Sequence, residues 1–246
     1  MKTILHITSQ YQQTAIAQYL TNFDDIFALH GEKITRSPIS DLIKLKIGGE
    51  YYYVKRYNAA GKRLRRYIGR SRIRGEWENM QFFQQLNIAI PDIVAYGQQQ
   101  QTVGQLRGVI VTKELTNSMD LATMARERHS LLRNYEWVKQ VSQQLALATQ
   151  KMHHHKFAHG DLKWRNILVT LDTQPKVHLI DCPLGKKYRS FMFAKYRIKD
   201  LACLDKIAKF TLSRPQRLRF YKYYASRRKL TIEDKFIIKK ILRYFK

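Results

Sequence analysis

The stretch HGDLKWRNILVTLDTQPKVHLID, residues 159–181, constrains this chain more than any other. Its two short apolar runs, ILV and VHLI, flank the turn-forming DTQP and read as a small hairpin. Upstream, Val138, Val141, Leu145, Ala148 and Met152 recur at spacings of three and four, so residues 134–155 read as a long amphipathic helix. A loop that leaves such a helix and enters a hairpin presents Asp161 and Asn166 on the same side, with residues 167–169 anchored in a core. Asp181 then returns on the neighbouring strand. One short segment thus gathers two carboxylates and an amide.

Those three groups suit phosphoryl transfer. That reaction needs a carboxylate to orient an acceptor hydroxyl and take its proton, and oxygen ligands to hold magnesium on nucleotide phosphates. Asp161 suits the first task, Asn166 and Asp181 the second, and His159, Asp161 and Asn166 in HGDLKWRN have the spacing of a kinase catalytic loop. Taken singly, Asp161 as a turn cap and Asp181 as a strand end are the plainer readings. Their joint spacing favours the catalytic one.

Earlier segments fall into order before it. DLIKLKIGGEYYYVKRY joins an alternating half to an aromatic, β-branched half through Gly48 and Gly49, a hairpin carrying Lys55 near its end. A strand lysine there is placed to neutralise nucleotide phosphates. RIRGEWENMQFFQQL puts Trp77, Met80, Phe83 and Leu86 at helical spacing before Pro91. Glu76 near its start is a partner for Lys55, with Glu78 or a plain solvated helix face as the alternatives. More strand material follows around residues 109–112, and the Gln run at 98–101 reads as a polar turn. Thr231 with Asp234 caps a last helix that bears Phe236, Ile237, Ile241, Leu242 and Phe245 among lysines.

Forty-five Lys plus Arg against nineteen Asp plus Glu give a formal charge of +26, which self-repels and points to an anionic partner. The excess is uneven. Residues 61–75 carry seven basic side chains and no acid, and residues 183–246 carry 20 against Asp200, Asp205, Glu233 and Asp234, so two basic faces are expected. Cys182 and Cys203 make neither a disulfide framework nor a paired zinc spacing, which favours a reducing compartment. No stretch approaches the ~18 apolar residues of a membrane span, and MKTILHITSQYQQ has too short an apolar run for a signal peptide. Three successive histidines, His153, His154 and His155, point in different directions from a helix and read as its solvated end rather than a metal site. Cys182 reads as a small packed residue rather than a reactive thiol.

HGDLKWRNIL, the downstream IDCP, the RGEWENMQFF helix and RIKDLACLDK together resemble the bacterial lipopolysaccharide core kinases, which phosphorylate heptose or Kdo sugars of the inner core. The resemblance spans roughly residues 40–210, and its catalytic-loop part is shared with the wider protein-kinase-like superfamily. It implies that Asp161 is the catalytic carboxylate, that Asn166 and Asp181 bind magnesium, and that Lys55 pairs with Glu76. It also implies that His159 and Asp200 support the catalytic loop, and that Glu114 and Leu115 form a hinge meeting adenine through backbone groups. Three departures stand out. No G-x-G-x-x-G precedes the hairpin, so phosphate cover falls to the less regular segment around residues 31–40. Cys182 and Pro183 follow Asp181 where protein kinases have Phe and Gly, and no A-P-E motif lies between Asp181 and Asp200, which favours a small or glycan acceptor over a docked peptide.

The expectation is therefore an α+β, protein-kinase-like bilobal fold in one kinase-like domain, with a strand-rich lobe over about residues 1–114 and a helical lobe over about 115–246. ATP and Mg2+ are the expected cofactors, bound between the lobes. The expected acceptor is an inner-core saccharide of lipopolysaccharide or another glycan, met in the cytoplasm at the inner face of the bacterial inner membrane. The basic surfaces would hold the chain peripherally on anionic lipid. The tail helix either lies in that interface or, the favoured reading, packs its apolar stripe on the smaller lobe. Rival readings are a protein Ser/Thr or small-metabolite kinase of the same fold, a pseudokinase scaffold, and a basic nucleic-acid-binding module using the aromatics of RLRFYKYYASRRKL. The last accounts for the charge but not for Asp161, Asn166 and Asp181, so specific nucleic-acid binding is not expected.

Overall fold

The computed structural model describes residues 3–59, 70–102 and 105–245. The larger part of the basic cluster at 61–75 lies outside the described residues. The chain divides into two compact units, Met1–Glu78 with Pro91–Leu115, and Asn79–Ile90 with Thr116–Lys246.

The first unit is built on six antiparallel strands: β1 (Thr3–Ile7), β2 (Glu32–Ser37), β3 (Ser40–Ile47), β4 (Glu50–Tyr57), β5 (Ile93–Thr102) and β6 (Gln105–Lys113), in the order β1-β5-β6-β4-β3-β2. Gly48 and Gly49 connect β3 to β4 with φ of 58° and 86°, the left-handed pair that a two-residue hairpin turn demands. Period-two alternation gives β4 two different faces. Tyr52 and Val54 point into a core with Ile43, Leu45, Val109 and Val111, closed by Ile16, Leu20 and, from α1 (Phe23–Ala28), Phe23 and Ile26. Lys55 and Tyr57 point to the other face. There Trp77, on α2 (Arg72–Gln85), packs with its ring centroid 5.3 Å from that of Tyr96.

Two segments depart from the sequence expectation. The Gln run at 98–101 is strand rather than turn: Gln98, Gln99 and Gln100 pair with β6, with an irregularity at Gln101, and Gln98 and Gln99 also pair with β1. Backbone pairing decides the matter, while the side chains find partners of their own, Gln98 accepting from Ser71 and Gln99 from Arg107. Residues 32–37, expected to be irregular, form β2, paired with β3 through a bulge between Lys33 and Thr35.

The second unit is mainly helical: α3 (Leu121–Arg126), α4 (Tyr135–His154), α5 (Ser190–Thr211), α6 (Arg214–Ala225) and α7 (Ile232–Arg243). A small sheet of β7 (Ser118–Asp120), β9 (Ile167–Thr170) and β10 (Val177–Leu179), in the order β10-β9-β7, accompanies them, with a two-residue pairing of β8 (Phe157–Ala158) and β11 (Lys186–Lys187). Asn134 caps α4 by accepting from the Trp137 N–H, and Trp137, Val138, Val141, Leu145 and Met152 form its buried stripe. Only Tyr188 and Arg189 separate β11 from α5. Thr231 and Asp234 make a reciprocal capping box on α7. That helix packs on α5, within its own helical unit, and Ile237 is buried. Among the described residues, no helix is long and apolar enough to cross a membrane.

Candidate active site

In the first unit, β4 presents Lys55 and Tyr57 two residues apart on the same face, and α2 brings Glu76 against both. The Lys55 ammonium donates to the two Glu76 carboxylate oxygens at 2.8 and 2.9 Å, and the Tyr57 hydroxyl donates to Oε2 of the same carboxylate. Glu76 is buried, and burial together with its charge pushes the Tyr57 phenol far above its ordinary range. Glu78, the alternative partner, instead meets Arg74 and Arg70. Glu114 pairs with Lys44 at 2.6 Å, and its N–H donates to the Tyr51 carbonyl at 2.8 Å. Adenine meeting the main chain at Glu114 would therefore meet its carbonyl. The cation-lined concavity beside β2 and β3, about 510 Å³, takes in Lys33, Arg36, Arg56 and Asn58.

The second unit holds the loop that leads from β8 into β9. Its anchor is Asp200 on α5, fully buried, whose carboxylate accepts from the His159 N–H at 2.7 Å and the Gly160 N–H at 2.9 Å. Gly160 sits at φ 80°, a conformation that glycine adopts at no steric cost, and it turns the chain into Asp161. The His159 ring is buried and stacked on Phe83. Burial lowers its tendency to protonate, outweighing the opposite pull of Asp200, Asp181 and Asp161, so the imidazole is neutral packing material.

Asp161 is partly exposed and meets Lys163 at 2.6 Å and Arg165 at 3.2 Å. Partial burial alone would raise its pKa, but the hydrogen bonds and charges of Lys163 and Arg165 prevail and hold the carboxyl below the ordinary aspartate value. The buried Asn166 donates its side-chain N–H to the Asp161 carbonyl at 2.8 Å. With the nitrogen so engaged, Oδ1 is the end of the amide that could coordinate a cation. The β9–β10 register pairs Leu179 with Ile167, and the Ile180 N–H donates to the Asn166 carbonyl at 3.0 Å. Asp181 thus follows one residue beyond the position opposite Asn166, in a left-handed conformation at φ 54°.

An amide oxygen and a carboxylate are hard donors of the kind magnesium takes. Among the described residues, no group of three or more His, Cys, Asp or Glu is arranged to hold a metal by itself.

The lipopolysaccharide kinase (Kdo/WaaP) family profile matches residues 28–224. The chain belongs to this family. Among solved structures, WaaP in complex with acyl carrier protein matches with a TM-score of 0.74 at 21% identity, covering 99% of this chain and 98% of that one. The likeness shows the kinase-like α+β fold that the sequence led one to expect. The Physcomitrium patens mitogen-activated protein kinase kinase kinase 1a is 34% identical over 109 residues, 44% of this chain. The chain spans 13% of that relative's length.

Several groups around the candidate site escaped the sequence reading. Tyr57 was readable as a same-face neighbour of Lys55, and Lys163 and Arg165 as cations within four positions of Asp161. His153 is a correction. It is buried rather than solvated, with Nδ1 2.9 Å from the Tyr224 hydroxyl and Nε2 3.4 Å from Asp200, while His154 and His155 are exposed. Its partners lie on α5 and α6, distant in sequence, so the helix-end pattern carried no sign of them. Those contacts also engage tyrosines of RLRFYKYYASRRKL: the Tyr221 hydroxyl donates to Asp234 at 3.1 Å, and burial raises the Tyr224 phenol to about 12. Cys182 is buried, with its thiol 3.7 Å from the His159 carbonyl.

Proposed function

We propose that this chain is an ATP-dependent kinase that phosphorylates a heptose or Kdo hydroxyl of the lipopolysaccharide inner core. The observation that carries the reading is the loop in which Asp200 fixes the His159 and Gly160 amides and Asn166 fixes the Asp161 carbonyl, inside a chain of this family. Asp161, ionised at neutral pH, accepts the hydrogen bond of the sugar hydroxyl and takes its proton as the oxygen bonds to the γ-phosphorus and ADP departs. Lys163 adds positive charge beside the transferred group. Asn166 and Asp181 would hold magnesium, which when bound offsets the negative charge developing on the phosphates. Lys55, aligned by Glu76, neutralises further phosphate charge, and Glu114 with Leu115 would receive the adenine. A direct passage from β11 to α5 favours a saccharide over a docked peptide as acceptor.

The acceptor's membrane anchor gives the basic surface a use. Ile232, Phe236, Lys239 and Arg243 recur along α7 at helical spacing on the face opposite Ile237, all exposed, with Ile232 88% and Phe236 57% accessible. Each basic residue near an anionic leaflet contributes about 1 kcal/mol of attraction, so this stripe would hold the enzyme at the cytoplasmic face of the inner membrane. Transfer from ATP to inner-core lipopolysaccharide, presented on anionic and on zwitterionic vesicles, tests both parts. Turnover should be faster on the anionic vesicles, and Asp161→Ala should lower it about 10²–10⁴-fold with folding intact. Near-normal turnover in the variant removes Asp161 from the mechanism, and equal rates on the two vesicle types remove the membrane stripe.

A further inference from the structure

We propose that Asn79 is the positioning residue that sets Asp181 for metal binding, a role resting on the reading of Asp181 as a magnesium ligand. Asn79 lies on α2, one helical turn after Glu76, and is 3% exposed. Its side-chain nitrogen donates to the Cys182 carbonyl at 2.6 Å and to the Gly185 carbonyl at 2.8 Å, and lies 3.9 Å from the Cys182 sulfur. Two carbonyl acceptors can be met only by the NH2 end of the amide, which fixes its orientation. A single buried side chain thereby ties both ends of the four-residue turn that follows Asp181.

The turn needs such a tie. Asp181 stands at φ 54°, a left-handed conformation that a non-glycine residue holds only when its surroundings impose it. On one side the β10–β9 pairing ends at Leu179, and on the other the β11–β8 pairing begins at Lys186. Between them the turn is packed to contact. A Cβ on Gly185 would fall 2.4 Å from the Cys182 sulfur and 2.6 Å from Cζ of Phe157, so the chain closes over Cys182 with no room for a side chain at 185. Cys182 and Pro183 occupy the positions where protein kinases carry a Phe-Gly pair, and the Asn79 amide supplies a polar fastening for this turn.

Outer groups that orient metal ligands typically change metal affinity or activity 10–100-fold when removed. Asn79→Asp keeps the shape but faces two carbonyl oxygens with a carboxylate, and Asn79→Ser keeps one donor at shorter reach. Calorimetric titration with ATP plus magnesium, and with ATP in chelator, separates metal positioning from general damage. The expected result is MgATP binding weakened at least tenfold in Asn79→Asp, less in Asn79→Ser, with metal-free ATP binding unchanged in both. Equal weakening in the two titrations, or no change in either, overturns the role of Asn79. If the wild-type protein binds ATP no better with magnesium than without it, the metal reading of Asp181 falls, and this proposal with it.

Discussion

Lys55 in the strand-rich unit and Asp161 in the helical unit are both charged groups held in place by the protein, but they are held in different ways. Lys55 is fixed side chain to side chain, by a carboxylate that Tyr57 also grips. The loop bearing Asp161 is fixed through its main chain, by one carboxylate that accepts two successive amide protons. A side-chain clamp depends on the charge at both of its ends. A main-chain clamp leaves the side chains of His159 and Asp161 to packing and ion pairing, and concentrates two of the loop's main-chain ties on Asp200.

Substitution at Asp200 should therefore have the largest effect on folding. Asp200→Ala leaves two buried N–H groups without an acceptor, at about 1–3 kcal/mol each, and denaturant unfolding should show a loss of about 2–6 kcal/mol with turnover falling as well. Asp200→Asn, which keeps one acceptor oxygen, should recover part of both. Lys55→Met should cost about 3 kcal/mol, because Glu76 is left buried without its countercharge, and adding Glu76→Gln should restore stability but not turnover. If Asp200→Ala proves milder than Lys55→Met, the ranking of the two clamps is reversed.

The smallest expected effect is on pH dependence. The Asp161 carboxyl titrates below its ordinary value of 3.8, so the ionised form persists above that pH and its stabilising contacts are lost only as pH falls through the lowered folded value. The acid limb of the pH–rate profile should lie correspondingly low. In Lys163→Met, burial is less strongly opposed, and the limb should move to higher pH. An unmoved limb would assign it to another group.

The parts of the site that were legible in the sequence are those fixed by local geometry. Asp161, Asn166 and Asp181 could be placed together because a loop, a short strand and its antiparallel return leave the chain few alternatives. Lys55 was legible through its hairpin and Glu76 through its place near the start of the next helix, and the helix's orientation turns Glu78 to Arg70 and Arg74 instead. His153 and Asn79 stayed hidden for a common reason: each acts on a partner brought near by tertiary packing, and for Asn79 the partners are 103 and 106 residues away. The Gln run misled because polar side chains suggest a turn, whereas two neighbouring strands supplied its backbone with hydrogen bonds. The tail helix was legible as an amphipathic, capped element, but which unit it covers depends on where α5 runs.

The two-residue link between β11 and α5 limits how such a kinase can be controlled. Two residues reach at most about 7 Å, too little chain to swing aside, take up a phosphate and fold back as a gate. On the proposed reading, the output of the enzyme follows the supply of nucleotide and of acceptor on the membrane, as in a biosynthetic step that runs whenever its substrates are present.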